Sequence, residues 1–263
     1  MELQSFKFRI EDNVAYITLA QGDRGNPFDA RFTEEFNYLA TECDSNPEIR
    51  AVVMDAEGRF FSVGGDLKTF TKGDRTDLPP FIKMATGNMH MGVSRLSRMD
   101  APFIVKADAL MAGGSIAFAA AADFLMVGPN AKFYGAFAGI GFSCDCGNSY
   151  FLPRRVGVRK AFSFFARNET WTAEQGLEYG LVSEIHPSDE LDAATEKLAK
   201  ELAAGPTFTI GQYKRLMLES LNTPLETQLE MESRALTECT RTDDTWEAVL
   251  AVASKQKPVF NYK

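Results

Sequence analysis

Two glycine pairs and one aspartate carry the chemistry that can be read from this sequence. Gly64 and Gly65 follow an apolar run in EGRFFSVGGDLK (57–68), and Gly113 and Gly114 follow another in PFIVKADALMAGGSIAFAAAADFLMV (102–127). Glycines let the backbone come close to a ligand and turn N–H groups towards it. At the second pair an alanine-rich helix begins. N–H groups at a helix N-terminus are unpaired within the helix and lie at the positive end of its dipole, so they hold developing negative charge. Two such loops together would form an oxyanion hole. A plainer reading stands beside each: a tight turn for the first pair, and close packing of a buried helix for the second.

The third element is Asp145, in AFAGIGFSCDCGNSYFLPRRVG, flanked by Phe142, Cys144 and Cys146. A carboxylate there can carry a proton. It can equally cap the next helix, since an Asp before Cys-Gly-Asn-Ser can accept from the free N–H groups at a helix start. The two histidines are His90 and His186. His90 stands among Met89, Met91 and Val93 in a helical pattern, which reads as a partly buried helix residue. His186 precedes Pro187 in a turn and reads as solvent-facing without an evident partner. Arg154, Arg155, Arg159 and Lys160 make a basic cluster that would meet phosphate or form a solvated helix face.

These groups must be positioned by the elements between them. Five apolar, β-rich runs stand out, at 13–20, 50–56, 102–109, 122–128 and 180–187. Helical patterns lie between them: 29–45 brings Phe32, Phe36 and Leu39 to one face, and 81–99 does the same with Met89, Val93 and Leu96. Strand and helix alternate, which predicts an α/β fold. From about Thr172 the pattern is helical. Capping boxes mark Thr172 with Gln175, and Thr223 with Pro224 and Glu226. Gly205 and Pro206 break the chain, dividing an α/β core (1–205) from a helical region (206–263).

The bulk numbers exclude several classes of function. The chain has 263 residues and 36 acidic against 28 basic side chains, a formal charge of −8, which argues against a general nucleic-acid or anionic-membrane binder. The N-terminal stretch shows no signal or transit pattern, and no apolar run reaches membrane-spanning length. Cys43, Cys144, Cys146 and Cys239 lack C-x-x-C spacing and a neighbouring histidine, so neither a zinc site nor a disulfide framework is expected. A reducing cytoplasm fits this composition.

The segments F-S-V-G-G-D-L-K and A-L-M-A-G-G-S-I-A-F-A-A-A-A-D resemble the two signature segments of the enoyl-CoA hydratase/isomerase (crotonase) family in type, order and separation. The resemblance continues through NAKFYGAFAGIG, LPRRVG, TAEQGLEYGLVSEI and KQKPVF, and so covers essentially the whole chain. It implies a crotonase-like core of repeated ββα units, and a C-terminal helical region that covers the active site and assembles trimers or dimers of trimers. It also implies an acyl-coenzyme A thioester as substrate, with no cofactor or metal required. The backbone N–H groups of Gly65 and Gly114 would hold the thioester oxygen, each being worth ~3 kcal/mol in the transition state.

The two glutamates used by hydratases of the family fall at Ala117 and Phe137, neither of which can move a proton. The local pattern around Asp145 instead looks closest to the isomerases of phenylacetate degradation, in which an aspartate is the acid/base. The resemblance thus implies a double-bond shift through a dienolate with Asp145 as the single proton carrier. A rival uses Asp145 as a nucleophile with His90, as 4-chlorobenzoyl-CoA dehalogenases do. Those enzymes have tryptophans where this chain has Met89 and Phe137. A third reading is a non-catalytic acyl-CoA-binding subunit. For the coenzyme, the resemblance points to Ser62, Gly64, Asp66, Leu67 and Gly113, with Lys257 and Phe260 reaching a nucleotide on a neighbouring subunit. Met84, Phe133, Phe137 and Phe142 suggest a bulky apolar or aromatic acyl pocket.

Overall fold

The computed structural model describes residues 1–261. Ten strands build two sheets: β1 Phe6–Glu11, β2 Val14–Leu19, β3 Ala51–Ala56, β4 Phe60–Ser62, β5 Phe103–Ala107, β6 Leu110–Ala112, β7 Phe124–Val127, β8 Lys132–Tyr134, β9 Thr170–Thr172 and β10 Glu184–Ile185. The larger sheet runs β1-β2-β3-β5-β7-β10, and the smaller β4-β6-β8-β9. β1 and β2 form an antiparallel hairpin, and every later pairing in the larger sheet is parallel. β9 lies antiparallel to β8 in the smaller sheet, whose other pairs are parallel.

The chain writes this arrangement as a repeat. β3 and β4, β5 and β6, then β7 and β8 each give one strand to the larger sheet and the next to the smaller, and a helix follows each pair. This is the ββα unit that the resemblance implied, and the fold is crotonase-like α/β. It also explains why the chemical segments meet. The Gly64–Gly65 turn leaves the end of β4, the Gly113–Gly114 turn leaves β6, and the stretch carrying Phe137, Phe142 and Asp145 leaves β8. These three strands are parallel neighbours, so their outgoing loops emerge side by side, where open α/β sheets place ligands.

All five predicted runs contribute strands to the larger sheet. The last is much shorter than its run, only Glu184–Ile185. Helix Ala30–Ser45 starts at Asp29, whose carboxylate accepts from Phe32 N at 2.9 Å. The second helix covers Leu78–Arg98, and the Thr172/Gln175 capping box is present. The box expected at Thr223 is not. Its hydroxyl donates to Glu219 O at 2.9 Å, closing the preceding helix, and the next helix begins at Leu225, which leaves Glu226 one place too early to reach back.

Phe32, Phe36 and Phe118 are buried, with Phe36 and Phe118 centroids 5.0 Å apart, and they join the helix Ala30–Ser45 to the short helix Ile116–Ala121. The last described helices, Thr207–Glu219, Leu225–Cys239 and Asp243–Ala253, follow the final strand. Buried Lys214 ties the first of them to the core. Its ammonium donates to Leu96 O and Ala101 O and pairs with Asp123 at 2.8 Å. No helix among the described residues is long and apolar enough to cross a membrane.

Candidate active site

The two glycine turns interlock. Gly64 and Gly113 have φ of +80° and +56°, a left-handed backbone that a β-carbon disfavours. A β-carbon on Gly64 would lie 2.8 Å from Ala112 O and 3.4 Å from Gly114 N, so the loops approach as closely as glycine permits. Phe28 N donates to Gly64 O at 2.8 Å and Asp66 N donates to Phe28 O at 3.3 Å, a parallel bridge across Gly65. In such a bridge the central residue's own N–H points away from its partner. Gly114 is the second residue of the helical turn Gly113–Ser115, where N–H groups lack helical acceptors. Both glycines border one cleft of about 970 Å³, within the range of small-molecule sites.

Neighbouring side chains lock this geometry. Ser62 is fully buried: its hydroxyl donates to Asn26 O at 2.7 Å and accepts from Gly64 N at 3.0 Å. Asp66 caps the short helix Leu67–Phe70 through Lys68 N, accepts from the Thr69 hydroxyl, and meets Arg24 at 3.0 Å. Arg24 also reaches Asp29 at 3.0 Å, fastening the loop to the first helix. Ser62 and Asp66 thus spend their polar groups on shaping the loop. Exposed Leu67 and buried Gly113 border the cleft.

Asp145 enters the same cleft from the loop before helix Asn148–Val156. The N-cap of that helix is Gly147, with no side-chain cap, so the capping alternative for Asp145 does not hold. Its carboxylate instead meets His90 Nε2 at 2.6 Å through Oδ1. A nitrogen and a carboxylate oxygen that close need a proton between them. His90 is no partly buried helix residue. Met89 and Val93 turn inward on Leu78–Arg98 while the His90 side chain is 53% exposed. On the other carboxylate oxygen, Cys146 Sγ donates at 3.5 Å. Burial pushes the Cys146 thiol well above its ordinary range, and the neighbouring Asp145 charge adds to this, so it remains a neutral donor. Cys146 has φ +58°, unusual for a residue with a β-carbon.

The remaining wall is aromatic. Phe70 packs against Phe142 with centroids 5.8 Å apart and against Phe81 at 5.9 Å, and all three border the cleft. Phe137 borders it too, edge-on to Phe165. Two expected pocket residues do not. Phe133 is fully buried, because its neighbour Tyr134 on β8 faces the cleft and alternation turns Phe133 to the opposite side. Met84 is exposed, off the helix face through Leu78, Ile82, Ala85 and Met89 that borders the cleft. Lys257 is exposed and the Phe260 carbonyl accepts from Arg50, and neither borders the cleft of its own chain. The residues that sequence reading missed here are Phe28, Phe70 and Phe81, which carry no local motif.

Other expectations resolve elsewhere. His186 does have a partner, Glu184 at 2.8 Å. The basic cluster is largely engaged: Arg154 lies over the Tyr150 ring, Arg155 donates to Ala120 O and Ala122 O, and Lys160 lies over Tyr179. Ala117 is fully buried in its helix. Among the described residues, no three His, Cys, Asp or Glu side chains cluster so as to hold a metal ion.

Fold and cleft define an α/β protein in which two glycine turns and one carboxylate border a largely apolar cleft. A family model described as enoyl-CoA hydratase/isomerase matches residues 9–263, and the chain belongs to that family, whose enzymes act on CoA thioesters. It is 28% identical to a 1,2-epoxyphenylacetyl-CoA isomerase of Escherichia coli, over 97% of each chain. It is 27% identical to 4-chlorobenzoyl coenzyme A dehalogenase-2 of an Arthrobacter species, over 84% of this chain and 80% of the other. Among solved structures, a putative enoyl-CoA hydratase/isomerase from Mycobacterium abscessus superposes with a TM-score of 0.91 at 29% identity, covering 97% of this chain and 99% of that one.

Proposed function

We propose that the protein is an acyl-CoA isomerase that moves a double bond by a 1,3-proton shift, with Asp145 as the only proton carrier. Asp145 takes a proton from carbon 2 or carbon 4 of an unsaturated thioester. The electron pair moves into a dienolate, whose oxygen accepts from the N–H groups of Gly65 and Gly114. Asp145 then returns the proton at the other carbon, so atoms and charge balance without water. The observation that carries this reading is one carboxylate in the same cleft as both glycine turns. Buried Ala117 and the apolar ring of Phe137 occupy the positions where the resemblance puts the hydratase glutamates. His90 holds the carboxylate, and the rings of Phe70, Phe142 and Phe137 would take a bulky apolar acyl group. Gly64, Gly113 and Leu67 would border the pantetheine, Ser62 and Asp66 would shape the loop beneath it, and Lys257 and Phe260 would approach the nucleotide of a neighbouring subunit.

A second reading is favoured by the 2.6 Å His90–Asp145 contact and by the similarity to a dehalogenase. Here Asp145 attacks a ring carbon, chloride leaves, and His90 activates water to hydrolyse the aryl ester. Phe137 offers no donor to the attacking carboxylate, which counts against it. The C-terminal helices and the turn between the first two expose Met217, Leu221, Leu225, Leu229, Leu236 and Trp246, each more than half accessible. Surfaces this apolar mark association sites, so we assign the region from residue 206 to assembly of a trimer or dimer of trimers.

The test is to give the protein and its Asp145→Asn variant 3-enoyl-CoA and 4-chlorobenzoyl-CoA in parallel. Migration that vanishes in the variant, without chloride release, supports the isomerase. Chloride release supports the nucleophile. CoA-ester binding with neither reaction rejects both.

A further inference from the structure

We propose that Asn148 is a positioning residue of the oxyanion site, acting on the Gly113–Gly114 peptide through its side-chain amide. The inference rests on the thioester reading above. Asn148 opens the helix Asn148–Val156 and is fully buried. Its Nδ2 donates to Gly113 O at 3.4 Å. That carbonyl and the Gly114 N–H are two ends of one planar peptide group. A donor on the oxygen end draws electron density from the nitrogen end and makes the N–H a stronger donor, because linked hydrogen bonds polarise one another.

Gly113 O also accepts from Ile116 N, so two donors converge on it and fix the plane of the peptide. Such fixing matters at Gly113, whose left-handed φ and missing side chain leave few other restraints. The orientation of the Asn148 amide follows from the same contact. Turned over, it would set two carbonyl oxygens against each other.

The rest of the residue fits this role. Asn148 Oδ1 is buried and, among the described residues, has no hydrogen-bond partner, a cost that a residue serving only to fill space would not carry. Its backbone N–H donates to Asp145 O at 3.0 Å. One residue therefore holds the backbone of the carboxylate loop and, through its side chain, the peptide that faces the thioester oxygen.

Asn148→Gly and Asn148→Ala remove the amide and add no bulk. The probes are hexanoyl-, decanoyl- and phenylacetyl-CoA, each with ¹³C at the thioester carbonyl. In the wild type the bound carbonyl band should lie below its free position. In the variants it should move back up, with binding of the ester within about threefold, the scale of an interaction that polarises without contacting ligand. Losing a whole oxyanion donor costs ~10²–10³ in turnover, and a polarising neighbour contributes about 10–30% of a bond, so kcat on 3-enoyl-CoA should fall about two- to eightfold with KM unchanged. An unmoved band in a folded variant overturns the proposal. Loss of folded protein in both variants makes Asn148 a folding residue and overturns it too. A wild type that binds none of the three esters, or binds them without lowering the band, instead rejects the thioester site itself, and this inference falls with it.

Discussion

The two walls of the cleft are built on opposite principles. On the glycine side, the turn after β4 is fastened by Ser62, by the Phe28 bridge and by Asp66 with Arg24, and the turn after β6 by the buried Ser115 hydroxyl on Ala112 O and the Asn148 amide on Gly113 O. Facing them, Phe70 ends the short helix Leu67–Phe70, Phe81 lies in the first turn of Leu78–Arg98 and Phe142 lies in a loop; they stay partly accessible and meet one another through ring contacts. Fixed dipoles are worth most where charge develops, because they need no reorganisation at the moment of reaction. An apolar tail asks only for area. A rigid wall for the thioester oxygen and an adaptable wall for the acyl chain answer these two demands.

The sharpest way to break this contrast is to put a β-carbon on each glycine. On Gly114 it would lie 2.9 Å from the Phe28 ring, which is stacked on Phe32 at 4.4 Å and cannot swing away. Gly114→Ala should therefore displace the peptide and lower kcat about 10²-fold, the usual cost of a 1 Å misplacement. On Gly65 it would lie 2.7 Å from the tip of Phe70, which is less tightly held. Gly65→Ala should cost less than about tenfold on the same grounds. Equal losses in steady-state assays would show that the walls are equally rigid.

His90 belongs to the accessible side yet holds the carboxylate. His90→Gln should lower kcat about ten- to a hundredfold, the worth of a hydrogen bond to a charged group, while ester binding stays near wild type. On the apolar wall, Phe142→Ala should raise KM about three- to tenfold for bulky acyl chains, from lost apolar contact, and leave kcat within about twofold. The smallest effect concerns thiols. Burial pushes Cys43 up to about 12 and raises Cys146, whereas Cys144 is raised by burial but partly accessible. A thiolate is the reactive form, so native protein at pH 8 should be alkylated first at Cys144, with Cys43 and Cys146 labelled only after unfolding, as read by mass spectrometry.

The same contrast describes what the sequence disclosed. Five of the six strands of the larger sheet are legible as apolar runs, because strands buried on both faces read that way, whereas β1, a largely exposed antiparallel edge strand, shows no such run. Three-residue strands such as β4 and β6 are too short to show a period. Thr172 announces its helix, whereas the Thr223 hydroxyl is taken by the helix before it, a competition that local pattern does not reveal. At the site, glycine pairs and a lone carboxylate are recognisable by type. The aromatic wall is not, since Phe70, Phe81 and Phe142 meet only after folding, and Phe133 looked equivalent to Phe137 until β8 set its alternation. The pairing of His90 with Asp145, 55 residues apart, has no local pattern behind it and is suggested only by the resemblance to dehalogenases; the fold brings the two together.

The central claim is that Asp145 moves a carbon-bound proton while the glycine turns hold the enolate. The most direct measurement is the exchange of carbon-2 protons of 3-enoyl-CoA and phenylacetyl-CoA in deuterated buffer, followed by NMR for the wild type and Asp145→Asn. The account predicts exchange in the wild type and its loss in the variant, with ester binding retained. Exchange that persists at the wild-type rate in the variant would contradict it.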